Sequence, residues 1–116
     1  MRAFGRDQNY EIYRTTTADG FVLTLYRLLP KAPPATKKGA VLLQHGAGMD
    51  GVTWFDPNIY PDGNADTHAM FALVDEGYDV FVSNARCTPY SNVNTKYPDA
   101  DNKSSANYAT QNKAKY

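Results

Sequence analysis

Residues 40–55 read AVLLQHGAGMDGVTWF. Ala40 to Leu43 is a short apolar run that stops at Gln44-His45-Gly46-Ala47-Gly48. A run of this length bounded by glycines reads as a buried strand ending in a tight loop. Glycine lets the backbone turn sharply and leaves its N–H groups facing open space. N–H groups at the carboxyl end of a strand are where α/β proteins bind anions or developing oxyanions. The stretch therefore describes half of an active site, the half that supplies hydrogen-bond donors.

Upstream, Tyr10 to Thr17 and Phe21 to Leu28 are rich in β-branched and aromatic residues and flank Ala18-Asp19-Gly20. Two such runs around an Asp-Gly turn predict a β-hairpin. Pro30 to Lys38 reads as a proline-broken surface loop. Downstream, residues 52–64 hold Pro57, Pro61 and Gly63 and read as an irregular loop. Asn64 to Glu76 has helical spacing at Ala69, Met70, Leu73 and Val74, with Asn64 or Asp66 as cap and Gly77 as stop. Tyr78 to Ser83 is a second buried strand. Strand, helix, strand in this order predicts a parallel pair with a right-handed crossover. The hairpin ahead of it makes the sheet mixed.

The chain is α/β by this pattern, and 116 residues make at most one domain. Apolar content of 42% and charged content of 21% fit a globular chain. Twelve basic and twelve acidic residues cancel, which argues against nucleic acid or an anionic membrane as partner. Nine tyrosines suit a groove that meets mixed polar and apolar ligands. Cys87 is the single cysteine, read as a small half-buried hydrophobe, so no intrachain disulfide or cysteine metal site is expected. No window approaches the roughly 18 apolar residues of a membrane span. The opening MRAFGRDQNY has no apolar h-region, so no signal peptide is expected in this sequence. Asn92 to Tyr116 has almost no aliphatic residue and reads as a polar, disordered tail. The expected division is 1–91, folded, and 92–116, tail.

These residues resemble, in order, the acid lipase family of α/β-hydrolases, which includes gastric and lysosomal acid lipases. Thr17-Ala18-Asp19-Gly20-Phe21-Val22-Leu23 is similar to the family's opening hairpin. Leu43-Gln44-His45-Gly46, with Met49 and Thr53-Trp54-Phe55, is similar to its L-Q-H-G loop and following tryptophan. Gly77-Tyr78-Asp79-Val80-Phe81-Val82-Ser83-Asn84-Ala85-Arg86, with Ser91, is similar to its G-Y-D-V-W-x-x-N-x-R segment. The resemblance covers about residues 4–101 and implies the N-terminal portion of an α/β-hydrolase fold. Phe4-Gly5 is similar to the aromatic-glycine pair near the family's mature start. The family is secreted or lysosomal, which leaves this chain's compartment open. Ala47 and Gly48 depart from the bulky residue the family places after His-Gly, and Cys87 replaces its glycine after the arginine.

The resemblance implies ester hydrolysis of neutral lipids, acylglycerols or sterol esters, with no cofactor. It also implies an oxyanion donor, the backbone N–H of Ala47, supported by His45, Gly46 and Gly48. The Ser-Asp-His triad is another matter. Ser83, Ser91, Ser104 and Ser105 are not set in G-x-S-x-G, and the remaining histidine, His68, falls inside the expected helix. The chain alone is expected to be inactive. Two other functions fit the residues. Gly46-Ala47-Gly48-Met49-Asp50-Gly51 spells the dinucleotide fingerprint G-x-G-x-x-G, which demands a helix opening at Gly51. A non-catalytic binding or assembly role would use the tyrosine-rich surface and an open apolar sheet edge, where a protein partner could add. Trp54 and Phe55 are expected to anchor their loop on the core, Asn84 and Arg86 to hydrogen-bond neighbouring loops, and Asp99 and Asp101 to be solvated.

Overall fold

A computed structural model describes residues 2–3, 6–30, 33, 35–56 and 68–96. Two-residue strands β1 (Arg2–Ala3) and β2 (Arg6–Asp7) pair antiparallel. The main sheet contains β3 (Tyr10–Thr16), β4 (Val22–Leu28), β5 (Gly39–Leu43) and β6 (Tyr78–Ser83), in the order β3-β4-β6-β5. The predicted hairpin forms in full register, from Tyr10 opposite Leu28 to Thr16 opposite Val22. Its turn closes through Gly20 N–H to Thr17 C=O and Thr17 N–H to Phe21 C=O, both 2.8 Å.

β6 is the hub. It pairs antiparallel with β4 and parallel with β5, which makes the sheet mixed as the sequence predicts. Helix α1 (Ala69–Asp75) lies between β5 and β6 in the chain and packs on β6. Met70, Phe71 and Val74 are buried against Leu28, Val80 and Val82, with Tyr26, Leu43, Trp54 and Phe55 at the margin. Fully burying one such side chain contributes about 1.5–3 kcal/mol.

Two expectations change. His68 is at the N-cap with extended backbone, not inside the helix, and the expected start at Asn64 to Thr67 lies outside the described residues. β5 is an edge strand rather than a buried one, and Leu42 is 58% exposed. A continuous apolar run does not reveal which strand ends the sheet, and only one face of this sheet carries a helix among the described residues. Residues 93–96 lie against the hairpin turn: Val22 N–H donates to Val93 C=O at 2.9 Å, and Thr95 N–H to Gly20 C=O at 2.8 Å. Asp99, Asp101 and the rest of the polar segment from Tyr97 lie outside the described residues. No helix among the described residues is long and apolar enough to cross a membrane.

Candidate active-site cleft

The parallel strands β5 and β6 deliver their carboxyl ends side by side, and a loop leaves each. Residues 44–50 follow β5 and residues 84–91 follow β6. Between them lies an open cleft of about 800 Å³. In open α/β sheets this is where ligands bind.

Polar side chains join the two loops. Ser83 Oγ donates to Gln44 Oε1 at 2.6 Å and to Leu43 C=O at 3.3 Å. The Ala85 N–H donates to His45 Nε2 at 3.0 Å, which assigns the ring proton to Nδ1, 2.9 Å from Gly46 C=O. Both ring nitrogens are thus engaged in hydrogen bonds with backbone groups of the two loops. Asn84 is 2% exposed: its Oδ1 accepts from Gly51 N–H at 2.9 Å, and its Nδ2 donates to Thr24 C=O at 3.2 Å. A Cβ on Gly51 would come within 2.9 Å of that Oδ1 and 3.1 Å of Ser83 C=O, so this contact requires glycine. Ser91 Oγ accepts from Thr24 N–H and donates to Asn84 C=O, both at 2.9 Å.

The donor turn is Gly46-Ala47-Gly48-Met49, closed by Met49 N–H to Gly46 C=O at 3.2 Å. Gly48 has φ +77° and Ala47 a negative φ, the signature of a type II turn, which needs glycine at its third position. Among the described residues the N–H groups of Ala47 and Gly48 meet no acceptor, and both residues line the cleft. Ser83 and Ser91, the described serines, are spent on structural hydrogen bonds, and no group of three potential metal ligands occurs among the described residues.

At Gly51 the chain enters a five-residue 3-10 turn, Gly51–Phe55. Its cap is Asp50, whose carboxylate accepts from Val52 N–H at 2.8 Å. Trp54 and Phe55 reach the core from this turn as expected, and the buried indole N–H of Trp54 finds no acceptor among the described residues.

Asn84 bonds neighbouring loops as expected. Arg86 reaches further, to Asp19 in the hairpin turn, and its guanidinium lies 5.5 Å from the Phe21 ring centroid. The Thr17 hydroxyl also binds Asp19 and, with Arg86, holds that carboxyl below its usual range. Cys87 follows at φ +69°, half-buried, where the resemblance places glycine. The sequence reading missed the cleft's apolar rim, Met49, Val52 and Tyr90, each more than 40% exposed. The count of nine tyrosines was its only trace.

The family model described as a partial α/β-hydrolase lipase region matches residues 5–56, the hairpin through the 3-10 turn. Triacylglycerol lipase 1 of Arabidopsis thaliana is 37% identical over 73% of this chain and 20% of its own length. Lipase member K of Homo sapiens is 37% identical over 75% of this chain and 21% of its own. Gastric triacylglycerol lipase of Rattus norvegicus is 31% identical over 76% and 22%. The chain thus spans about a fifth of the length of these relatives.

Proposed function

The chain belongs to the α/β-hydrolase lipases, carrying their partial lipase region at residues 5–56, and from that premise we propose that it supplies the oxyanion-binding loop of a neutral-lipid ester hydrolase. The observation that carries the reading is the turn at Gly46–Met49, where Ala47 lines the cleft and its N–H lacks an acceptor among the described residues. The function needs a serine nucleophile, an acid and a base from outside residues 1–116, where G-x-S-x-G does not occur. Residues 1–116 by themselves leave an ester intact. The substrate class is acylglycerol or sterol ester, and no cofactor takes part. We further propose that the folded unit runs on to Lys96 rather than ending at residue 91, a reading supported by hydrogen bonds between residues 93–96 and residues 18–22.

Two observations favour an oxyanion loop over a dinucleotide site. The Asp50 carboxylate occupies the N–H a pyrophosphate would use, and the turn at Gly51 is five residues of 3-10 helix. A second reading, assembly through the sheet edge, is favoured by Leu42, exposed on edge strand β5.

Ala47→Pro tests the first reading cleanly. Proline suits the second position of a type II turn, so the substitution deletes the N–H while keeping the turn. In a chain extended in frame through a downstream G-x-S-x-G, hydrolysis of p-nitrophenyl butyrate should fall about 10²–10³-fold in kcat. Unchanged turnover would refute the assignment of Ala47. An in-frame G-x-S-x-G in the coding DNA beyond the Tyr116 codon would supply that extension.

A further inference from the structure

Met49 closes the donor turn with its backbone, donating its N–H to Gly46 C=O at 3.2 Å, and its side chain stays beside the same turn. A Cβ built on Gly46 would meet the Met49 Sδ at 3.6 Å, so the thioether packs where a side chain on Gly46 would sit, one residue before Ala47. Met49 is 51% exposed, and Gly46, Ala47 and Gly48 are exposed with it. The other described methionine, Met70, is 0% exposed within the core. One thioether therefore meets water at the donor turn while the other is sealed. Methionine oxidation follows exposure and turns a soft apolar side chain into a polar one. The thioether sulfur accepts hydrogen bonds only weakly, so in the reduced chain it leaves the Ala47 and Gly48 N–H groups available.

We propose that Met49 is an oxidation site that gates the donor turn: a hydroperoxide converts its thioether to a sulfoxide, whose oxygen accepts from the Ala47 or Gly48 N–H and occupies the donors. A lone pair on Sδ attacks the outer oxygen of the hydroperoxide. An S–O bond forms as the O–O bond breaks, and the proton of the transferred oxygen passes to the departing one, which leaves as water or an alcohol. Sulfur loses two electrons and the peroxide gains them. The new acceptor is tethered to the turn it blocks, so it competes at an effective concentration on the order of millimolar. Reduction of the sulfoxide reopens the turn. The inference rests on the oxyanion reading of Ala47 only for what the closed turn stops, which is ester turnover.

The test treats the 116-residue chain, carrying Cys87→Ser to remove the half-buried thiol of the same cleft, with hydrogen peroxide. Tandem mass spectrometry should find Met49 oxidised at least about tenfold faster than Met70. In the oxidised chain, exchange of the Ala47 or Gly48 amide with water, read by saturation-transfer NMR, should slow about fivefold, what one modest hydrogen bond supplies. Methionine sulfoxide reductases should restore the faster exchange. Met49→Leu should show no response to peroxide, and Met49→Gln, with a fixed side-chain acceptor, should slow exchange without any oxidant. If oxidation abolishes the circular dichroism of the fold, Met49→Gln carries the test, and unchanged exchange in that variant overturns the gate. Equal oxidation of Met49 and Met70, or exchange unchanged or faster in a folded chain oxidised at Met49, overturns it as well. Amide exchange needs no ester and no nucleophile, so it reads the gate by itself. Failure of the oxyanion reading appears only in the turnover of Ala47→Pro.

Discussion

The carboxamide of Asn84 ties Gly51, at the start of the 3-10 turn, to Thr24 on β4 from within the core. Replacing it with alanine leaves the Gly51 N–H and one Thr24 C=O bond unmade in a buried setting, which costs about 2–3 kcal/mol. Urea unfolding of Asn84→Ala should show that loss as a lower midpoint at unchanged slope. Cys87 is the opposite case. A non-glycine residue in the left-handed region costs about 1–2 kcal/mol, and glycine removes that strain while adding some unfolded-state entropy. Cys87→Gly should therefore raise stability by a net of about 0.5–1 kcal/mol, seen as a higher Tm. The sequence reading marks this position only as one where cysteine stands in place of the glycine that the resemblance implies. It gave Asn84 and Arg86 one shared role, whereas Arg86 crosses to the hairpin turn. Side-chain reach across 67 residues of chain has no sequence period to reveal it.

At the scale of elements, period and punctuation explain what was legible. The hairpin, β5, β6 and the order of α1 between them follow from β-branched runs, an Asp-Gly turn and helical spacing. Two features are invisible to such patterns. One is which strand ends the sheet, and the other is the strip of Val93 to Lys96. That strip binds through its own backbone atoms, Val93 C=O and Thr95 N–H, and through Asn94, whose side chain donates to Asp19 C=O at 3.2 Å. Composition counts apolar side chains and so is blind to it. Asn94 forms an antiparallel bridge with Phe21, which is 1% exposed. A chain ended after Asn92 should melt below one ended after Lys96, by the few degrees that about 1–2 kcal/mol represents in a domain this small. Equal melting temperatures would return the boundary to residue 91.

The whole molecule has two unequal sheet faces. One carries α1 and the core, and the other carries Arg27, which bonds Asp79 through Nε at 2.6 Å and Glu11 at 3.0 Å. The hydrogen bonds from Tyr13 and Arg27 hold the Glu11 carboxyl below its usual range, and Lys38 does the same for Glu76. A carboxyl lowered in the folded state contributes stability that is complete above its unfolded value. That stability is lost as pH falls through the folded value. Melting temperature should thus hold steady from neutral to mildly acid pH and drop below about pH 4, and Glu11→Gln should shrink the drop. These groups are exposed, so each effect is small and weakens with salt.

The edge sets the larger behaviour. Among the described residues β5 pairs only with β6, so its other side offers open backbone, with Leu42 exposed and no proline or charge within Gly39–Leu43 to discourage pairing. Among the described residues the core beneath it rests on one seven-residue helix, so the isolated chain should unfold at low urea and populate associated species. Leu42 is exposed, so Leu42→Lys should change folding stability by no more than about 0.5 kcal/mol while placing a charge on the edge. Sedimentation velocity should then show monomer where the unaltered chain associates. Equal association of the two chains would clear the β5 edge and shift attention to the apolar rim of the cleft, where Tyr90→Ser repeats the experiment.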